Sequence, residues 1–283
     1  MSEEWHVING REVFLCAGAI HSPAILLRSG IGAAEDLKRV GIAPAVHAPG
    51  VGQNLGEQPF IFLTLQLRPE ARAASPHARQ SNCLVRYSSG VVGGGRNDMQ
   101  IGCVQPVGVD QDAVVRGWIT VSAVQAFSRG RVLLTTPDPE RDPEVDFRLL
   151  TDERDLVRMR DGVRRLCDLA RHKAIAAIAI QVHIDEAGHS LDDIRDERQV
   201  DEWLQTRCTD YVHAVGTCRM GPIDDPRSVV DSDCRVIGVE GLRVVDASIM
   251  PEVPRANTHM TTVMIAEHIA ARMNGQTKQA HSR

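Results

Sequence analysis

The sequence predicts a mixed α/β (α+β) protein, and three observations predict it. Short apolar runs of buried-strand type stand near both ends of the chain, at 12–16 (EVFLC) and 242–245 (LRVV). Between them, residues 60–68, 99–109 and 117–127 are rich in Val, Ile and Leu with interleaved polar positions, as in antiparallel strands with one wetter face. Residues 151–170 and 261–273 instead repeat their apolar side chains every three or four positions, as helices do. A chain of 283 residues is long enough for one large domain or two ordinary ones.

Taken in order, the first strand ends in Ala17-Gly18, a tight turn. Ser22-Pro23 then reads as a helix start, with Ser as N-cap and Pro at the first helical position. That helix runs from Ala24 to Ser29, with Gly30 at C′; a second runs from Ala33 to Val40 and closes at Gly41. Pro49 to Leu55 is a loop, and 60–68 opens the middle strands. Residues 71–95 carry little pattern, and Gly93-Gly94-Gly95 reads as a loop tip. Arg131 to Thr135 is a further strand, closed by Pro137. The clearest helix, Thr151 to Ala170, places Leu156, Met159, Val163, Leu166 and Ala170 on one face. Ser190-Leu-Asp-Asp has the form of a capping box opening a polar segment up to Cys208. The last helix spans Thr261 to Met273, with Val263, Ile265, Ala266, Ile269 and Ala270 apolar.

Composition narrows the function classes. Hydrophobic residues make up 43% and charged residues 24%, the balance of a globular protein. A net charge of -5 gives no electrostatic case for nucleic acid or an anionic membrane. No apolar run approaches the roughly 20 residues of a membrane span, and the N-terminus lacks the basic start and apolar core of a signal peptide. The seven Cys are scattered and no C-x-x-C occurs, which predicts free thiols in a reducing, cytoplasmic setting. No metal is expected: His213 and Cys218 are five apart and His259 is remote, unlike the close ligand pairs of zinc sites.

Gly30-Ile-Gly32 and Gly50-Val-Gly52 begin like a dinucleotide fingerprint, but neither completes G-x-G-x-x-G nor sits directly between a strand and a helix. No G-x-S-x-G, H-E-x-x-H or Walker sequence appears. The C-terminal quarter carries more. His213 lies in the dense small-residue stretch from Asp210 to Gly221, and Val244-Val-Asp246-Ala-Ser is a strand ending in an acid. Asn257-Thr-His259 leads into the last helix, whose N-terminus suits a negatively charged group. Two His of near-neutral pKa can serve an alcohol as base and hydrogen-bond partner. By spacing alone each reads more readily as a structural residue.

The segment Gly18 to Gly32 (GAIHSPAILLRSGIG) closely resembles the second signature of the glucose–methanol–choline (GMC) flavoprotein oxidoreductases. Pro49 to Leu55, Ser128-Arg-Gly-Arg-Val132 with Asp138-Pro, and residues 211–221, 239–251 and 257–267 resemble later blocks of that family, in family order. The resemblance implies FAD and a small-molecule alcohol substrate. The hydroxyl proton leaves to a base, at the position here filled by His213, and the hydride goes to flavin N5. His259 falls on the second active-site position. Asp246 and Ala247 fall near the FAD pyrophosphate and ribityl chain, and the backbone of Met260 and Thr261 falls at the flavin pyrimidine edge. One departure is Glu57-Gln58, where the family usually has Asp-His.

The resemblance also implies a remnant of an FAD-binding, Rossmann-like domain joined to a substrate domain built on a mainly antiparallel sheet flanked by helices. The expected division is 1–58 and 237–283 in the FAD-binding part and 59–236 in the substrate part. The family's nucleotide fingerprint lies in a first half with no counterpart here. The expectation is the C-terminal portion of an FAD-dependent alcohol oxidoreductase, completed by an N-terminal FAD-binding partner chain. Two other readings stand beside it: a non-catalytic truncated or assembly module of a flavoprotein, and a hydrolase or lyase using His213, His259 and Asp246 with Ser248 or Cys218 as nucleophile. Aromatic residues are 4% of the chain, so no cage for a quaternary ammonium is evident, which points away from choline and toward other primary or secondary alcohols.

Overall fold

The computed structural model describes residues 6–281 except 76, 92, 106–111, 186–187 and 192–195. The first elements are β1 (Val13–Leu15), α1 (Gly18–Arg28), β2 (Ile31–Gly32), α2 (Ala34–Arg39) and β3 (Val46–His47). The middle of the chain supplies β4 (Pro59–Leu67), β5 (Ser81–Tyr87), β6 (Met99–Val104), β7 (Arg116–Ala123), β8 (Arg131–Leu133) and β9 (Glu144–Asp146). Then come α3 (Glu153–Ala170), α4 (Lys173–Ile178), β10 (Ala179–His183), α5 (Glu197–Arg207), β11 (Thr209–Asp210), β12 (Leu242–Val244) and α6 (His259–His281).

The organising element is β4. Ile61, Leu63, Leu65 and Leu67 are buried on one face, while Phe60, Phe62, Thr64 and Gln66 take the other. Around it forms a six-stranded sheet in the order β10-β4-β7-β6-β5, with β11 also on the β4 edge and every pair antiparallel. The aliphatic face packs against α3 through Met159, Val163 and Leu166, with Met99, Ile119 and Val121 from neighbouring strands. Gly162 permits that approach: a Cβ there would lie 2.8 Å from Val121 and 3.0 Å from Met99. The helix is opened by Asp152, whose carboxylate accepts the Arg154 N–H. Arg158 lies fully buried beneath it with two carboxylates, Asp98 and Asp155.

A second core joins the two ends of the chain. Leu26, Leu27, Leu37 and Val51 pack with Val229, Val236, Val244, Ile249 and Ile269. Here β1 and β12 pair in parallel, Val13 opposite Leu242. The pair departs from the buried strands that the sequence predicts: Val13 is 49% exposed and Phe14 40%. Parallel strands are normally covered on both faces, and among the described residues β1 has β12 as its one sheet neighbour. Ile25 of α1 and Met260, Val263 and Met264 of α6 are exposed as well.

Several boundaries differ from the local signals. Helix α1 begins at Gly18, not at Ser22, and carries Pro23 inside it. Ser22 does not cap; its hydroxyl accepts the Ala17 N–H and donates to Asp246 at 2.5 Å. Pro23 has no N–H to give the Ala19 carbonyl, one turn back. The Thr217 hydroxyl donates to that carbonyl instead, at 2.6 Å, so a distant side chain completes the helix. Thr217→Val is expected to leave a buried acceptor unpaired and to lower stability by about 1–2 kcal/mol; unchanged thermal melting would show that the helix does not need this bond.

Helix α5 starts at Glu197, capped by Asp196, rather than at Ser190; Asp192 and Asp193 of the expected capping box lie outside the described residues. Helix α6 starts two residues early, at His259. The weakly patterned 71–95 region contains β5, and the apolar run 174–180 divides between α4 and β10. Strand β6 is described from Met99 to Val104, with 106–109 of the expected strand outside the described residues, and β7 stops at Ala123, short of the expected 127.

Candidate active site

His213 follows β11 on a segment that runs antiparallel to residues 55–58. Gly56 and Val215 exchange both backbone hydrogen bonds at 2.9 Å, a register that sets Gln58 opposite His213. Gly56 is needed for this approach, since a Cβ there would lie 2.6 Å from Val253. Val212 has φ 60°, a left-handed conformation unfavourable for a β-branched residue, and it kinks the chain between Tyr211 and His213.

The imidazole is held on both nitrogens. Nδ1 lies 2.8 Å from Gln58 Oε1, and Nε2 lies 3.2 Å from Asn257 Nδ2. The backbone N–H of His213 donates to Glu57 Oε2 at 2.8 Å. Gln58 is fully buried, and its Nε2 donates to the carbonyls of Val124, Pro254 and Ala256 at 3.1, 2.9 and 3.1 Å. Burial holds the His213 pKa below its usual value, which favours the neutral ring.

Glu57 is buried directly beneath this histidine. Burial lifts its carboxyl from 4.5 to about 7, helped by Asp210 and opposed by the N–H donors of Gln58, His213 and Tyr211. An acid whose folded pKa lies above its unfolded one favours the fold most when protonated. Its contribution is complete below about 4.5 and is lost as pH rises to about 7. The melting temperature of the parent is therefore expected to fall relative to that of Glu57→Gln across this interval. A difference that stays constant with pH would show that Glu57 does not titrate there.

An aromatic row ends at His213. Trp118 meets Phe62 at 4.9 Å, Phe62 meets Phe60 at 5.9 Å, and Tyr211 stacks on Phe60 at 4.6 Å and 7°. Tyr211 then meets the His213 ring edge-on at 4.7 Å, and its hydroxyl accepts from Gln100. Phe60, Phe62 and Trp118 stand on the sheet face away from the aliphatic core. Composition alone hid this, because few aromatics in total says nothing about where they gather. The alternating Phe60 and Phe62 were the available signal. Glu57, Gln58, Tyr211 and Asn257 are likewise not singled out as site residues by the sequence, which marks Glu57-Gln58 only as a departure from the resembled motif.

The other expected site residues occupy the second core and the start of α6. Asp246 lies two residues past β12, its carboxylate accepting four hydrogen bonds: Gly18 N–H and Ser22 hydroxyl on Oδ2, and Ser248 N–H and hydroxyl on Oδ1. It thus ties the start of α1 to the turn beginning at Ala247, whose carbonyl accepts from Gly216. Ser248 is buried with its hydroxyl on Asp246, and Cys218 is buried with its thiol pKa pushed up by desolvation. Neither is presented as a nucleophile. His259 is exposed at the first position of α6, and Met260 is 72% exposed. The first helical bond runs from Thr262 N–H to Thr258, so the N–H groups of 259–261 precede the helical ladder. Among the described residues no group of three or more His, Cys, Asp or Glu could hold a metal ion, and no helix is long and apolar enough to cross a membrane.

A fold of this architecture recurs in solved oxidases. Pyridoxine 4-oxidase from Mesorbium loti superposes on 93% of this chain and 51% of its own, with TM-score 0.79 and 25% identity. Formate oxidase from Aspergillus oryzae shares the fold at TM-score 0.80 and 22% identity, over 95% of this chain and 55% of its own. Two family models, both described as GMC oxidoreductase, match residues 2–60 and 126–266. The chain belongs to the GMC oxidoreductase family. A 5-(hydroxymethyl)furfural oxidase of Methylovorus sp. is 40% identical over 93% of this chain and 50% of its own length. An oxygen-dependent choline dehydrogenase of Cronobacter sakazakii is 35% identical over 94% and 51%. The chain spans about half the length of the curated relatives it matches.

Proposed function

We propose that this chain is the substrate-side portion of an FAD-dependent alcohol oxidoreductase, with residues 59–236 binding the alcohol and 1–58 and 237–283 facing the cofactor. The observation that carries this reading is the His213 ring: held on both nitrogens, standing at the end of an aromatic row, and with its neutral form favoured by burial. Such a ring can take the proton of an alcohol hydroxyl. His259 serves as the second hydrogen-bond partner of the alcohol oxygen.

The residues fit FAD in part. The N–H groups of 259–261 would offer donors and a partial positive charge to a negatively charged part of a bound flavin, worth about 0.3–2 kcal/mol. Asp246, saturated by its four internal bonds, would shape the backbone at Gly18 and Ala247 beside the cofactor rather than bind it with a free oxygen. No sequence here forms a phosphate cradle. FAD, when bound, supplies the acceptor for the carbinol hydride. The exposed apolar side chains of β1, α1 and α6 support an FAD-binding half that covers them, since each 100 Å² of such surface is worth about 2.5 kcal/mol on burial.

The substrate class that the row favours is a small alcohol carrying a flat aromatic or heteroaromatic ring, stacked along Phe60, Phe62 and Tyr211. Among the described residues, buried Gln100 and Ser122, opposite each other across β6 and β7 on that face, keep Oε1 and Oγ without a partner and could take a second polar group of the substrate. The Methylovorus relative, named for 5-(hydroxymethyl)furfural, supports the same class.

The test is to purify the chain alone and co-expressed with an FAD-binding half, then to record flavin absorbance and oxidation of aromatic alcohols and of choline. The chain alone should be colourless and inactive, and the pair yellow and active on aromatic alcohols. Near-stoichiometric flavin on the lone chain would overturn the two-part reading. A flavin-loaded pair that oxidises no alcohol would leave the non-catalytic module.

A further inference from the structure

Gln58 sits where the resembled motif usually carries a titratable ring, and its contacts determine more than its own position. An amide side chain can be oriented two ways, and here the surroundings select one. Three carbonyl oxygens, of Val124, Pro254 and Ala256, lie within 3.1 Å of the Gln58 Nε2 position. Carbonyls only accept, so that end of the amide must be the NH2 group. The other end, Oε1, is then an acceptor with no proton, and it faces His213 Nδ1 at 2.8 Å in a part-buried setting.

We infer that Gln58 is a positioning residue that fixes the tautomer of His213, keeping the ring proton on Nδ1 and the lone pair on Nε2. The reverse tautomer would press two lone pairs together at 2.8 Å. A second contact agrees: Asn257 Nδ2 is 3.2 Å from Nε2, as a donor to that lone pair should be. Imidazole side chains left to water favour the proton on Nε2, so the fold reverses the intrinsic preference. Because an amide does not titrate, this tautomer persists across the range in which a histidine at position 58 would change charge.

Resting on the alcohol-oxidation reading, the inference says which atom acts. Nε2 receives the hydroxyl proton, displacing the Asn257 N–H that now occupies the lone pair, and the resulting imidazolium keeps its Nδ1–H on Gln58 Oε1. The proton count closes: the alcohol loses one proton and the ring gains one.

The experiment needs no cofactor and no turnover. The full chain is labelled with 15N-histidine, and two- and three-bond 1H–15N correlations identify the protonated nitrogen of each ring. His213 is assigned by the loss of its signals in His213→Gln. The expected result is a single Nδ1–H tautomer for His213. A predominantly Nε2–H ring, or an even mixture, would overturn the inference even if the chain later proves to be an alcohol oxidase. In Gln58→Leu the ring should move toward the Nε2–H form, and in Gln58→His, which keeps one donor and one acceptor, the Nδ1–H form should return. A Gln58→Leu protein that folds and keeps the wild-type tautomer would remove Gln58 from the role. Should that variant not fold, the wild-type spectrum and Gln58→His still decide it.

Discussion

Replacing His213 with alanine in the flavin-loaded enzyme is expected to cut alcohol oxidation by about 10^2–10^4-fold, the usual contribution of a general base. At 1.36 kcal/mol per tenfold, that is roughly 2.7–5.4 kcal/mol of transition-state stabilisation. The loss should fall on kcat more than on KM, because the aromatic row that would hold the substrate ring belongs to Phe60, Phe62 and Tyr211 and remains in place. His259→Asn should be much milder, since an amide can still hydrogen-bond the alcohol oxygen. Steady-state kinetics with flavin content checked by absorbance separate these outcomes. Near-wild-type turnover in His213→Ala, at full flavin occupancy, would take the proton-accepting role away from this ring.

The largest effect on stability is expected at Arg158, far from that chemistry. Its guanidinium is fully buried, with Nη2 on Asp155 at 2.5 Å, Nη1 at 3.5 Å from Asp98, and Nε donating to the Arg154 carbonyl. Asp155 also accepts the N–H groups of Phe127 and Ser128, and Asp98 accepts the N–H and hydroxyl of Ser89. The cluster therefore pins two loops, the β5–β6 and β7–β8 connections, to α3. Arg158→Met preserves the apolar stem but leaves two carboxylates in the core without their cation. Breaking a buried pair in this way costs about 3–5 kcal/mol, which lowers the melting temperature by on the order of 10 °C. Thermal denaturation measures it, and a loss under about 1 kcal/mol would mean that the carboxylates are sustained by their backbone donors alone.

These two residues differ in how far the sequence exposes them. His213 stands in a motif whose ordered neighbours resemble one family from residue 18 to residue 267. Arg158 has no motif, and its helical position places it on the buried stripe where a charge looks out of pattern. Its partners Asp98 and Asp155 are 60 and three residues away, and only the packing of α3 on β6 and β7 brings Asp98 to it. Gln58 was visible as a departure from the usual residue, but its partner His213 lies 155 positions later. The aromatic row gathers residues from β4, β7 and the segment after β11.

What the sequence by itself determined is whatever repeats within a few residues: the two-residue alternation of β4, the helical stripe of α3, the glycine stops at 30 and 41, and the family blocks. What only the tertiary structure decided is which of those pieces meet. The start of α1 depends on Asp246 and Thr217, some 200 residues away, and β5 and β10 have too little local pattern to declare themselves before the sheet pairs them. The physical reason is that side-chain period is a property of neighbouring backbone, whereas sheet register and hydrogen bonds between distant segments are chosen by the burial and pairing of the whole chain.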